Sequence, residues 1–129
     1  MIVKTEDNID LRMHDHDKWE VLSPVTFVIV DDGPNALVTV GAGFITDGAS
    51  VPSILHWCMP SWHKRYGFAA LLHDFLYVHQ DRAQEVAAVF GFKDARKAAD
   101  DIFFSMIRGW RRYPMWIAVR LFGGVVWRK

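Results

Sequence analysis

The segment Ala69-Ala70-Leu71-Leu72-His73-Asp74-Phe75-Leu76-Tyr77 constrains this chain more than any other. It is apolar enough to be core, yet it carries two adjacent ionisable side chains and a phenol one helical turn beyond the histidine. Polar groups buried in such a run need hydrogen-bonding partners from a second element. Phe68, Leu71, Leu72, Phe75, Leu76 and His79 follow steps of three and four, which predicts a helix over residues 64–80. On a helix, residues i and i+4 share a face, while i+1 is rotated by about 100°. His73 and Tyr77 therefore line one surface and Asp74 looks toward another. His79 lies six residues beyond His73 and points about 120° away, so the two histidines do not share an ion.

The first third of the chain has a different period. Ile2 and Val3 suit a short edge strand, and residues 19–22 lead as a strand into Ser23-Pro24. Residues 25–30 are rich in β-branched side chains, Asp31-Asp32-Gly33-Pro34-Asn35 stops them, and residues 36–40 resume the same character. This predicts a hairpin with a longer loop. Gly41-Ala42-Gly43 then bends or bulges into a short strand around Phe44 and Ile45. His14-Asp15-His16-Asp17 is polar and flanked by weak elements, which reads as a solvated loop rather than a metal cluster. Thr46-Asp47-Gly48-Ala49-Ser50-Val51-Pro52 is turn chemistry, with a glycine that permits φ > 0 and a carboxylate and hydroxyls converging on one bend.

Helical signals dominate from there on. Residues 52–60 suit a short helix ended by Met59-Pro60, with Trp57 and Trp62 as core or rim aromatics and His56 and His63 as surface or hydrogen-bonded histidines. Residues 81–92 carry no decisive pattern, and Gly91 marks a stop or linker. Residues 93–108 form a helix whose inner stripe is Ala95, Ala98, Ala99, Ile102, Phe103 and Met106, with Asp94 placed to favour its first turn and Gly109 to end it. Residues 112–127 are apolar nearly all round but too few to span a bilayer, which implies burial against other helices or docking on a membrane surface.

Composition narrows the function. Fifteen Lys and Arg balance fifteen Asp and Glu, so no overall field draws the protein onto nucleic acid, and no nucleic-acid partner is expected. The distribution is uneven: residues 108–129 hold six Lys or Arg, three Trp and no Asp or Glu, a surface for something anionic such as phospholipid. Cys58 is the sole cysteine, which excludes an internal disulfide framework. No charged-then-apolar leader and no run of about 18 apolar residues occur, so the expected product has no signal peptide and no transmembrane helix. At 129 residues with 51% hydrophobic content, one domain is expected over 1–129, mainly β in 1–50 and mainly α in 51–129.

Antiparallel packing of the two middle helices would bring His73 and Tyr77 opposite Asp100, with Ala98 and Ala99 small enough for close approach. A carboxylate held by one imidazole nitrogen fixes the tautomer and leaves the other nitrogen to take a proton from water. Tyr77 can donate to the same carboxylate. Asp74, turned toward Asp47 and Gly48, is placed for a hard cation with carbonyl oxygens completing the shell, as calcium prefers. Such a cation would polarise an ester carbonyl. The same residues also read as a brace between two helices, because buried polar groups need partners in any fold.

Three segments carry a family resemblance: Gly43-Phe44-Ile45-Thr46-Asp47-Gly48-Ala49-Ser50-Val51-Pro52, Leu72-His73-Asp74-Phe75-Leu76-Tyr77 and Ala99-Asp100-Asp101-Ile102-Phe103. Together they resemble an uncharacterised phage and prophage family, the domain of unknown function 1353, over residues 25–127. The resemblance implies a phage or prophage origin, synthesis in the host cytoplasm, and incorporation in the virion or tail beside other virion proteins as one outcome. More locally, His73-Asp74-x-x-Tyr77 and Ala99-Asp100-x-x-Phe103 are similar to the catalytic helices of A2-type phospholipases, including the disulfide-free parvoviral kind. That likeness implies His73 as the base that activates water, Asp74 as a calcium ligand and Asp100 as the group orienting the histidine. The chain departs from those enzymes in lacking a Tyr-Gly-x-Gly loop and in its β-rich first third.

The sequence thus predicts an α+β fold: a small antiparallel sheet from the N-terminal half packed on three helices from the C-terminal half. Its leading functional expectation is a calcium-assisted hydrolase of lipid esters. The alternative is a noncatalytic virion component or host-directed binding module.

Overall fold

The computed structural model describes residues 1–5, 10–13, 18–47, 64–107, 109–110 and 112–127. Six strands come first: β1 (Ile2–Lys4), β2 (Leu11–Met13), β3 (Lys18–Val21), β4 (Val25–Val30), β5 (Asn35–Val40) and β6 (Ile45–Asp47). Four helices follow: α1 (Lys64–Val78), α2 (Gln80–Phe90), α3 (Ala95–Met106) and α4 (Arg112–Trp127). The class is α+β, as the sequence predicts. His14-Asp15-His16-Asp17, the expected helix at 52–60, Cys58, His56 and His63 lie outside the described residues.

Alternation in β4 and β5 makes the sheet. Val25, Phe27 and Ile29 are buried from one strand and Ala36, Val38 and Val40 from the other. The antiparallel register sets Val25 opposite Val40, Phe27 opposite Val38 and Ile29 opposite Ala36, so both apolar sets fall on one face. In the hairpin loop Asp32 and Gly33 take positive φ, 49° and 108°, values that a glycine and a short polar residue tolerate. β1 pairs with the other edge of β4, giving the order β1-β4-β5.

A second three-stranded sheet, β2-β3-β6, accompanies it. β2 is too short to show a period, which is why its sequence gives no sign of it. The predicted bend at Gly41-Ala42-Gly43 is present: Gly43 has φ 92°, and its N–H donates to the Val21 carbonyl at 2.7 Å while the Val21 N–H donates to the Phe44 carbonyl at 2.8 Å. That exchange delivers the chain from β5 to β6.

Among the described residues the helical half holds four helices where the sequence predicts three. His79, at φ −101° and ψ 75°, breaks the expected helix at 64–80, and α2 begins at the next residue. α2 buries only Ala83, Val86 and Ala87, a stripe too small to stand out in the sequence. Gly91 closes it in the left-handed conformation at φ 78°. Asp94 caps α3, its side chain accepting from the N–H groups of Arg96 and Lys97. One large core joins Phe27, Ile29 and Val38 of the sheet to Leu71, Leu72 and Leu76 of α1 and Ile102 of α3. A smaller one, Ala69, Phe103, Ile107 and Met115, sits between α1, α3 and α4.

Candidate functional site

Asp100 is fully buried on α3, the only charged residue among the described ones to be so. A carboxylate removed from water is costly unless donors replace the lost hydration. Three do. His73 donates from Nε2 to Oδ1 at 2.8 Å, Tyr77 donates from its hydroxyl to the same oxygen at 2.5 Å, and Arg120 donates from Nη1 to Oδ2 at 2.9 Å. The donors reach Asp100 from both neighbouring helices, α1 and α4. Because Tyr77 meets Asp100 while His73, one turn earlier, meets both Asp100 and Phe103, α1 and α3 run antiparallel. Ala98 and Ala99 are buried on α3 beside this junction, as their size predicts.

The aromatic walls hold the imidazole in place. Its ring lies 4.3 Å from that of Tyr77 and 4.7 Å from that of Phe103, centroid to centroid. With Nε2–H committed to the carboxylate, the neutral ring keeps its lone pair on Nδ1. Nδ1 makes no hydrogen bond among the described residues, and the His73 side chain is 14% exposed. The junction is thus closed around Asp100 and still reaches solvent at His73.

Tyr77 is 5% exposed. Burial first, and then the hydrogen bond and charge of Asp100, push its phenol far above the usual tyrosine range; the nearby Arg96 guanidinium opposes them in part. Tyr77 therefore remains a donor at any ordinary pH. Trp127, at the end of α4, sets its ring edge-on against Tyr77 at 5.1 Å, so α4 contributes a wall as well as a charge.

Arg120 escapes a reading based on α1 and α3 alone. Its signal is nevertheless in the sequence: it is the sole charged residue between Tyr113 and Trp127. Like His73 and Asp74, it is an ionisable group inside an apolar helix. Arg96, in the first turn of α3, also reaches α4. Its Nη2 donates to the carbonyls of Val119 at 2.8 Å and Arg120 at 2.6 Å, and a Cβ at Gly124 would come within 3.6 Å of its guanidinium carbon. That planar group therefore lies along α4 within ordinary contact distance of position 124. Asp101, next to Asp100, faces another way and accepts from Lys97 at 2.7 Å and from the Trp116 indole at 3.1 Å.

The other predicted residues are placed as follows. Asp74 is half-buried on an adjoining face of α1, which packs against β6, the strand that ends at Asp47. The Asp47 side chain and Gly48 lie outside the described residues. Among the described residues no group of three or more His, Cys, Asp or Glu is arranged to hold a metal ion. His79 is turned away from the junction, its ring against Phe75 at 4.5 Å and Phe44 at 5.9 Å. Among the described residues no helix is long and apolar enough to cross a membrane.

A family model described as "Protein of unknown function (DUF1353)" matches residues 19–119, a span that contains His73, Tyr77 and Asp100 and stops one residue short of Arg120. Comparison with curated proteins and with solved structures gives no match. The chain belongs to the DUF1353 family.

Proposed function

We propose that this DUF1353 member is a phage-encoded hydrolase of lipid esters in which His73 is the general base and Asp100 its positioning residue. The observation that carries the reading is the 2.8 Å bond from Nε2 to a buried carboxylate, which leaves Nδ1 on a partly exposed ring. Nδ1 takes a proton from water as the oxygen adds to the ester carbonyl. The tetrahedral intermediate then collapses, the carbon–oxygen bond to the alcohol breaks, and the imidazolium returns the proton to the leaving oxygen. Asp100 holds the ring in its orientation, while Tyr77 and Arg120 hold Asp100. A general base of this kind is worth about 10²–10⁴ in rate.

Calcium enters this proposal with Asp74, Asp47 and Gly48 as its candidate ligands. Calcium takes six to eight oxygens, and the described residues do not assemble that set, so no step above depends on the ion. The test is release of fatty acid from mixed phospholipid vesicles, with calcium and with chelator, by the parent protein and by His73→Ala. The expected result is release that His73→Ala reduces at least a hundredfold while the variant remains folded; a requirement for calcium would add the cation site.

A second reading has its own support. Every oxygen of Asp100 is occupied, and Arg120 shares its charge, so three helices are tied at one carboxylate. In a noncatalytic virion or tail component, or a host-directed binding module, that tie would be the whole purpose. No release by the parent protein, with His73→Ala lowering only the melting temperature, establishes this reading instead.

A further inference from the structure

α4 has two faces, and only one is accounted for. Met115 and Ala118 are buried, and Arg120 turns inward to Asp100. On the other side Tyr113, Ile117 and Leu121 are 54%, 50% and 69% exposed, and Trp110, in the turn just before the helix, is 59% exposed. Steps of four residues place Tyr113, Ile117 and Leu121 on a single stripe about 80° wide. Nearly full burial, the first expectation from the composition of this segment, therefore does not occur. Three large side chains in succession remain in water, each retaining about half or more of its accessible surface.

We infer that this stripe is a docking surface for an anionic lipid bilayer. Charge selects the occupant. The chain carries no Asp or Glu after Asp101, while Arg108, Arg111, Arg112, Arg128 and Lys129 follow it in addition to Arg120, whose charge Asp100 already balances. Arg112 is fixed at the rim of the stripe, its guanidinium 5.1 Å from the Tyr113 ring and 4.9 Å from the Phe104 ring, with Nη2 donating to the Tyr113 hydroxyl. Aromatic and aliphatic groups on one face with an arginine at the rim, in a segment whose sequence is basic and has no acidic residue, is the pattern that seats a helix in the headgroup layer. A second copy of this chain would bring Arg112 and a basic segment without acidic residues against their own copies, and a neutral apolar groove would offer that segment no counterion. Trp110 and Tyr113, each with a polar tip, suit the level where hydrocarbon gives way to headgroups.

The surface does not depend on His73 acting as a base, and the experiment keeps the two apart. Full-length protein is sedimented with vesicles of phosphatidylcholine alone and of phosphatidylcholine with phosphatidylglycerol, at low and high salt. The parent should partition onto the anionic vesicles at least tenfold better than onto the neutral ones, and high salt should erase most of that preference. Ile117→Asp and Leu121→Asp should each lower partitioning by about tenfold or more, with the helical circular dichroism of the parent retained because both sites are exposed. His73→Ala should bind vesicles as the parent does, whatever its effect on hydrolysis. Equal weak partitioning by the parent and both aspartate variants overturns the inference. So does a concentration-dependent dimer that the same variants convert to monomer, which would assign the stripe to a second copy.

Discussion

The β4–β5 hairpin and the junction of α1, α3 and α4 are both interior, but different physics holds them. The inner face of the hairpin is wholly apolar: Phe27, Ile29, Val38 and Val40 contribute by leaving water, and any side chain of similar shape would contribute nearly as much. The junction is organised around a charge. Asp100 gains little from burial itself and is tolerable there only because three donors from two other helices converge on it. A dry face is forgiving of chemistry and strict about volume. A buried carboxylate is the reverse, and that specificity suits either a catalytic group or a fixed helix arrangement.

The largest effects should expose this contrast. Phe27→Ala and Asp100→Ala should each destabilise by about 3–5 kcal/mol, the first through a cavity and the second through donors left unpaired. Conservative replacements should then part company. Phe27→Leu should cost under about 1.5 kcal/mol, whereas Asp100→Asn, nearly identical in shape, should still cost about 3 kcal/mol because the Arg120 charge loses its counterion. Urea denaturation of the four variants decides it; an Asp100→Asn protein within about 1 kcal/mol of the parent would erase the distinction.

Tyr77→Phe tests one donor rather than the whole junction. Losing a hydroxyl bonded to a buried carboxylate should cost about 2 kcal/mol at neutral pH. Its pH dependence has a definite sign. The folded phenol titrates above the unfolded one, so the contribution of Tyr77 is complete below about pH 10 and is lost as pH rises through the folded value. Stability measured from pH 9 upward should therefore fall more steeply in the parent than in Tyr77→Phe. Parallel curves would mean that the phenol does not donate to Asp100.

The smallest effect belongs to the outer face of the hairpin. Thr26 and Thr39 are cross-strand partners with hydroxyl oxygens 3.0 Å apart. Thr26→Ala should cost about 0.5 kcal/mol, with no change in vesicle binding or ester release. A loss above about 2 kcal/mol would show that the two faces of the sheet are not as unequal as the alternation of exposure implies.

How far each region was legible follows from the range of the forces that shape it. Period two in residues 25–40 reflects contact between adjacent strands joined by a short loop, so β4 and β5 appear within a residue of their expected bounds. β2 and α2 were not legible: one has three residues, and the other buries too narrow a stripe. In the candidate site, the pairing of His73 and Tyr77 with Asp100 followed from helical spacing and two small alanines. Arg120 did not, because its partner lies 20 residues away across a turn whose direction no local pattern specifies.

By itself the sequence determined which side chains share a face, because backbone geometry repeats every two residues in a strand and about every 3.6 in a helix. It therefore determined the inner face of the hairpin and the alignment of His73 with Tyr77. Only the tertiary structure decided which face of each helix would be covered. Period fixes the angle between side chains but not the direction in which a neighbouring element approaches, and that direction turned Arg120 toward Asp100 while leaving Tyr113, Ile117 and Leu121 in water.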